Sequence, residues 1–344
     1  MLFVGPTGTG KSAITNAFLK KLSSDKYVIN NVNFSAQTSA NQTQDIIFSK
    51  LEKRGRGTYG PPSGKQMIVF VDDLNMPMKE KYGAQPPIEV LRQFIDHGYW
   101  FDRKDTSVLN LTGITMVTAM TPPGGGRNDV TSRFTRHFNV IGIESFDDET
   151  MMSIFVPIIE WHFGQPGYDP NFKTYSKMLI MATLDVYKAA IATFLPTPTK
   201  SHYIFNLRDF ARVVQGLLLV KSGIFDSENG KNKFVRLWVH EVYRVFYDRL
   251  VDDNDREYFF GMVRDTAERL MREKFKDLFA HLVKQVATEP TDDDLRSLMF
   301  NDFYSLKEVD RVYDEVSDLE ETQNVNKFTS SYLSFISSII FPPP

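Results

Sequence analysis

The sequence predicts an α/β fold, a parallel sheet with flanking helices, followed by an all-α lid and a helical extension. Three observations carry that prediction. Over the first 145 residues short apolar runs alternate with helical stretches. A glycine-rich phosphate-loop pattern sits between the first apolar run and the first helix. From about Asp147 helical periodicity replaces the alternation.

Taken in order, strands are expected at Leu2–Val4, Val28–Asn33, Met67–Val71, Gly113–Ala119 and Phe138–Ile143. The run Met67-Ile68-Val69-Phe70-Val71 is apolar without alternation, as a central strand covered on both faces requires. Between the second and third strands, "KRGRGTYGPPSGKQ" reads as a basic, Gly/Pro-rich loop or hairpin. Helical stretches then follow in "ETMMSIFVPIIEWHF", "YSKMLIMATLDVYKAAIATF", "NLRDFARVVQGLLLV", "VRLWVHEVYRVFYDRLV" and "DREYFFGMVRDTAERLMREKF", with Pro/Gly breaks between the earlier ones. The expected divisions are 1–145 for the α/β part, 146–225 for the lid, 226–320 for the extension and 321–344 for a divergent, disordered tail.

Composition narrows the function classes. The 344 residues are 42% hydrophobic and 24% charged, ordinary values for a globular protein. A net charge of −3 supplies no basic field, which argues against nucleic acid as a partner. Cysteine is absent, so disulfides, thiolate metal sites and thiol nucleophiles are excluded. The late apolar stretch from Tyr332 to Phe341 is too short to span a bilayer, and no membrane association is expected. Three glycosylation patterns, beginning at Asn33, Asn41 and Asn110, carry no weight without a secretory route.

Gly5-Pro6-Thr7-Gly8-Thr9-Gly10-Lys11-Ser12 fits G-x-x-x-x-G-K-[ST] at every fixed position. Glycines let backbone N–H groups approach phosphate oxygens closely, and the helix that follows points its positive end at them. With Ala13 these nine residues form the expected ATP or ADP cradle; Lys11 reaches the terminal phosphates and the Ser12 hydroxyl ligates Mg²⁺. The flanks suit the task, since Leu2-Phe3-Val4 is an apolar strand and "SAITNAFLKKL" an amphipathic helix. A phosphate loop also calls for an acid at the end of a neighbouring buried strand. Asp72 is expected to assist the metal, and Asp73 to stand where a water-activating carboxylate belongs. Aspartate is one methylene shorter than the glutamate common at that position. A shortfall of about 1 Å can cost about 100-fold in rate, so binding is expected and fast hydrolysis is not.

The stretches "NFSAQTSANQTQDII", "VFVDDLNMPMKEKYGAQPPIEVLRQFIDHGYWFD", "AMTPPGGGRNDVTSRFTRHFN", "SHYIFNLRDFARVVQG" and "LWVHEVYRVFYDRL" resemble the third AAA+ module of an axonemal dynein heavy chain. The resemblance covers roughly residues 1–320, and these long signatures are far more specific than the phosphate loop. It implies a P-loop NTPase fold of AAA+ type, in which helices before the first strand pack near the adenine and a neighbouring module closes the other face. On that reading the stretch is part of a much longer motor, with nucleotide held between the α/β core and the lid.

The same resemblance implies further roles. Thr121 in "TAMTPP" stands where AAA+ proteins place a polar sensor of the terminal phosphate, usually a longer one. Arg208 in "NLRD" matches the lid arginine that contacts phosphates. Arg133 and Arg136 match the arginine-finger region and would serve the preceding module's nucleotide; such a finger can be worth about 10³–10⁵ in rate. Implied partners are adjacent AAA+ modules of the same heavy chain, with intermediate and light chains and microtubules reached through the intact motor. The implied location is cytoplasmic, in the ciliary axoneme. Two other readings stand beside it: a free-standing AAA+ ATPase that self-assembles and remodels protein clients, and a non-functional truncated product.

Other candidates are set aside. "HEVYR", from His240, misses the zinc pattern because Arg244 holds the second histidine position. "PPGGGRN", from Pro122, lacks the strand-to-helix context of a second phosphate cradle and reads as a connecting loop. The basic cluster Lys53-Arg54-Gly55-Arg56 reads as a solvated hairpin, and "HGYWFDRKDT" as an insert packed on the sheet. Trp238, Tyr243 and Phe246 read as a helix core.

Overall fold

The computed structural model describes residues 1–124, 126–225, 230–272, 274–283, 289–302 and 312–316. The expected tail, 321–344, lies outside the described residues, as does most of 303–320. The chain divides into two compact units, Met1–Phe146 and Asp147–Pro344.

The first unit runs β1 (Leu2–Val4), α1 (Lys11–Lys21), β2 (Tyr27–Asn33), α2 (Ala40–Phe48), β3 (Glu52–Gly55), β4 (Thr58–Gly60), β5 (Gln66–Asp72), α3 (Pro86–His97), β6 (Tyr99–Phe101), β7 (Val108–Leu111), β8 (Ile114–Met120), α4 (Ser132–Thr135) and β9 (Val140–Gly142). Five of these strands form one parallel sheet in the order β2-β5-β8-β1-β9. They are the five expected strands, with ends shifted by two residues at most. Register places Val4 opposite Met120, Val71 opposite Thr118 and Asn33 opposite Asp72. The C-terminal ends of β1, β5 and β8 therefore lie side by side, which is where ligands bind in open α/β sheets.

β5 is buried on both faces, as its unbroken apolar run requires. Met67, Val69 and Val71 join a core with Leu2, Ile88, Leu91 and Phe134, while Phe70 joins Leu19 and Ala119 on the opposite face. The stretch Lys53–Arg56 is an exposed hairpin, with a register shift between Lys53 and Gly55. It belongs to a second sheet, β3-β4-β7-β6, that also takes in the aromatic insert. Trp100 of β6 is buried and donates from Nε1 to the Val90 carbonyl at 2.9 Å, fixing this sheet against α3.

α1 forms where expected, but the expected amphipathic burial is not observed. Its buried positions are Lys11, Thr15 and Leu19, one i, i+4, i+8 row. Ile14 and Phe18 sit on the adjacent row and are 63% and 62% exposed, so its two largest apolar side chains point away from the sheet.

The second unit is helical: α5 (Asp148–Phe163), α6 (Asn171–Thr193), α7 (Leu207–Leu217), α8 (Gly230–Val245), a 3₁₀ turn (Tyr247–Arg249), α9 (Asp253–Met271), α10 (Phe275–Leu278) and α11 (Asp292–Arg296), with short strands β10 (Phe300–Asn301) and β11 (Asp314–Glu315) pairing antiparallel. Asp147 caps α5 by accepting from the Thr150 N–H, and Asn206 with Asp209 forms a capping box on α7. Trp238, Tyr243 and Phe246 are fully buried. The Trp238 indole donates to the Thr183 hydroxyl at 2.9 Å, so its polar edge is satisfied inside the core. Among the described residues no helix is long and apolar enough to cross a membrane.

Candidate functional site

Gly5 opens the phosphate loop where β1 ends, and only glycine fits: a Cβ there would lie 2.1 Å from the Ile143 carbonyl oxygen. Gly8 and Gly10 take φ of 86° and 77°, left-handed values that side-chain-bearing residues rarely hold. Thr9 ties the loop by donating from its hydroxyl to the Pro6 carbonyl at 3.1 Å. Gly10 is the N-cap of α1 and offers no capping side chain, so the helix end keeps the orphan N–H character that suits an anion. Lys11 is buried, and its ammonium donates to the carbonyls of Gly5 at 2.7 Å and Pro6 at 2.6 Å, with the Thr9 hydroxyl at 3.3 Å. A cation is thus held against the loop. Ser12 is half-buried and Ala13 exposed, both in the first turn of α1.

Asp72 ends β5, and one of its carboxylate oxygens accepts from the Asp73 N–H at 3.0 Å. Asp73 turns the chain with φ 52°, a left-handed conformation that aspartate tolerates better than most residues. Its carboxylate is paired with the Arg127 guanidinium at 2.5 Å. Nothing in the local sequence marks Arg127 as a site residue, because it lies in the Gly-rich connecting loop and meets Asp73 across 54 positions. Asn75 is a second residue of this kind: fully buried, it donates to the Thr121 carbonyl at 2.7 Å. Asn128 completes the joint, donating from its backbone to the Asn75 carbonyl at 3.1 Å and from its side chain to the Pro77 carbonyl at 2.9 Å. Thr121 follows β8 beside Gly5, whose N–H donates to the Met120 carbonyl at 3.3 Å. Its hydroxyl is buried without a hydrogen-bond partner among the described residues, and so is the Asn75 side-chain oxygen.

These residues fit a magnesium nucleotide by their donor chemistry. Ser12 and Asp72 offer hard oxygen ligands, and Mg²⁺ commonly takes one or two protein oxygens with phosphates and waters filling the rest. Among the described residues no group of three or more His, Asp or Glu side chains is placed to cage a metal by itself.

The two arginines of the α4 region differ. Arg136 is committed to Asp96 at 3.0 Å and donates to His137, and its guanidinium, with Arg92, holds the Asp96 carboxyl below the usual carboxylate range. Arg133 is exposed and makes no ion pair among the described residues. Arg208, in the second unit, is exposed in the first turn of α7, where its backbone N–H donates to the Asn206 side chain at 2.8 Å. His240 is a core histidine: Nδ1 lies 3.1 Å from the Leu298 carbonyl, and burial pushes its pKa down to about 4. Its neighbour Glu241, buried beside the Tyr313 hydroxyl at 2.5 Å, is pushed up to about 7 by the same desolvation.

A family model described as the P-loop containing dynein motor region matches residues 1–146, and one described as the AAA+ lid domain matches residues 179–285. The lid match runs across the division expected at 225. The chain is 54% identical over its whole length to dynein axonemal heavy chain 3 of Mus musculus, and 54% identical over 97% of its length to that of Homo sapiens. It is 46% identical over 99% of its length to dynein axonemal heavy chain 12 of Homo sapiens. It spans only 8% of the first two relatives and 11% of the third. With a phosphate loop on a five-stranded parallel sheet and a helical unit following it in sequence, the chain belongs to the axonemal dynein heavy chain family.

Proposed function

We propose that this chain is a nucleotide-binding regulatory AAA+ module of an axonemal dynein heavy chain, the third of its motor ring, and contributes to microtubule-based ciliary motility. The observation that carries the reading is the Gly5–Ser12 loop. Two left-handed glycines lead it into a helix with no capping side chain, and the Lys11 ammonium is held against it. Gly5 to Ala13 cradle the phosphates of ATP or ADP, and Lys11 turns from the loop carbonyls to the terminal phosphates. Ser12 and Asp72 would hold Mg²⁺, which shields phosphate charge when bound. Assignment to the third module rests on the loop signatures of the sequence.

Hydrolysis at such a site joins water to the terminal phosphorus, breaks the bridge to ADP and passes the water's proton to Asp73. Thr121 orients that water with a hydroxyl that has no other partner among the described residues. The short reach of Asp73, and its engagement by Arg127, support slow turnover that depends on neighbouring modules. Arg133, exposed and without an ion pair among the described residues, suits a finger for the preceding module better than Arg136, which is held by Asp96. Arg208 is the lid-side candidate for sensing nucleotide. Adjacent modules of the heavy chain are then the immediate partners; intermediate and light chains and microtubules belong to the intact motor at the axoneme. The heavy-chain relatives do not favour a free-standing remodelling ATPase.

Titration of the chain with a fluorescent ADP analogue and Mg²⁺ tests the site. Lys11→Ala removes a charge-assisted contact worth about 1.5–3 kcal/mol, so affinity should fall by about tenfold or more. Equal affinity for wild type and Lys11→Ala overturns the assignment.

A further inference from the structure

We infer that Arg127 is a built-in restraint on Asp73, holding the carboxylate that would accept the proton from the attacking water. The inference rests on the nucleotide-site reading above and deepens it. A carboxylate already engaged by a guanidinium is aimed at its partner instead of at a water, so the site retains ATP longer before cleaving it.

The ordinary alternative is a surface ion pair of no consequence, since exposed pairs are commonly worth little. Two observations separate this pair from that case. Its arginine is only 21% exposed, and both backbones are pinned, that of Asp73 by the Met76 N–H at 2.9 Å. Arg127 exchanges backbone hydrogen bonds with Gly124, at 3.1 and 3.2 Å, and the next residue, Asn128, is bound at two points to the Asn75–Pro77 segment. That segment follows directly from Asp73. The loop after β8 is thus stitched to the loop after β5 where the guanidinium meets the carboxylate, and the pairing needs no search by two long side chains. The left-handed φ of Asp73 is part of the same joint. Arg127 is therefore a positioning residue that acts through Asp73, and the pair would set how long the module stays in its ATP state.

The test is single-turnover hydrolysis of ATP by the full 344-residue chain, alongside titration with the fluorescent ADP analogue. Arg127→Gln should raise the hydrolysis rate roughly threefold to tenfold while leaving ADP affinity unchanged. Arg127→Lys, which keeps a cation, should give a smaller rise. The rise should vanish when Arg127→Gln is combined with Asp73→Asn, which a purely structural role would not produce. A rate for Arg127→Gln at or below the wild-type value, or undetectable, overturns the restraint, while ADP binding that depends on Lys11 leaves the nucleotide site standing. A wild-type chain that binds no ADP overturns the site reading and the restraint with it.

Discussion

The side-chain amide of Asn75 donates to the Thr121 carbonyl over 2.7 Å, and the oxygens left over, Asn75 Oδ1 and Thr121 Oγ1, are both buried without a partner among the described residues. Such a group costs about 1–3 kcal/mol unless a water or ligand meets it. Thr121→Val removes one orphan oxygen at nearly constant shape. Thermal unfolding should stay level or rise by up to about 1 kcal/mol, while single-turnover hydrolysis slows because the water loses its orienting hydroxyl. Lower stability at unchanged turnover would assign Thr121 to packing alone.

Gly5→Ala should damage fold and site together. Its new methyl would fall 2.1 Å from a backbone oxygen of Ile143, which no rotamer change can relieve. Displacing β1 from the segment after β9 should cost about 1–3 kcal/mol and weaken ADP binding. Urea unfolding and nucleotide titration of the same variant check both, and a variant matching wild type in each would refute the close approach.

Asp73→Glu separates reach from strain. The extra methylene extends the carboxylate by about 1 Å, so turnover should rise, by up to about 100-fold if misplacement is the whole defect. Glutamate holds the left-handed backbone less readily than aspartate, so stability should fall by about 1 kcal/mol. Phosphate release should therefore rise while the melting temperature falls; a rate that does not change would show that reach is not limiting.

Two adjacent buried groups in α8 should give the second unit opposing pH dependences. Glu241, raised to about 7, is protonated in the folded state where the unfolded chain has lost its proton, so its contribution is present at low pH and lost as pH rises through about 7. His240, lowered to about 4, works the other way: its contribution is present above the ordinary histidine range and lost as pH falls toward 4. Between about pH 4.5 and 6.5 the two slopes cancel in the wild type. Glu241→Gln should unmask stability that rises with pH across that window, and His240→Gln stability that falls, each by roughly 1–3 kcal/mol. Urea unfolding at pH 5, 6 and 7 reads both slopes, and a flat profile in either variant would refute the corresponding burial effect.

The sequence by itself determined whatever rests on local backbone chemistry. The glycine spacing of residues 5–12 dictates a loop that only left-handed positions can close, and the observed φ values at Gly8 and Gly10 meet that demand. The unbroken apolar run of β5 dictates burial on both faces, and alternate residues enter separate cores. The tertiary structure alone decided what depends on sheet register. Asp73 meets Arg127, and Arg136 meets Asp96, across 54 and 40 positions. No periodicity encodes such pairs: the first exists only once β5 and β8 lie side by side, the second only once α3 packs against α4. The exposure of Ile14 and Phe18 was hidden for the same reason: a helix repeat shows which residues share a row, and only packing chooses which row faces the sheet.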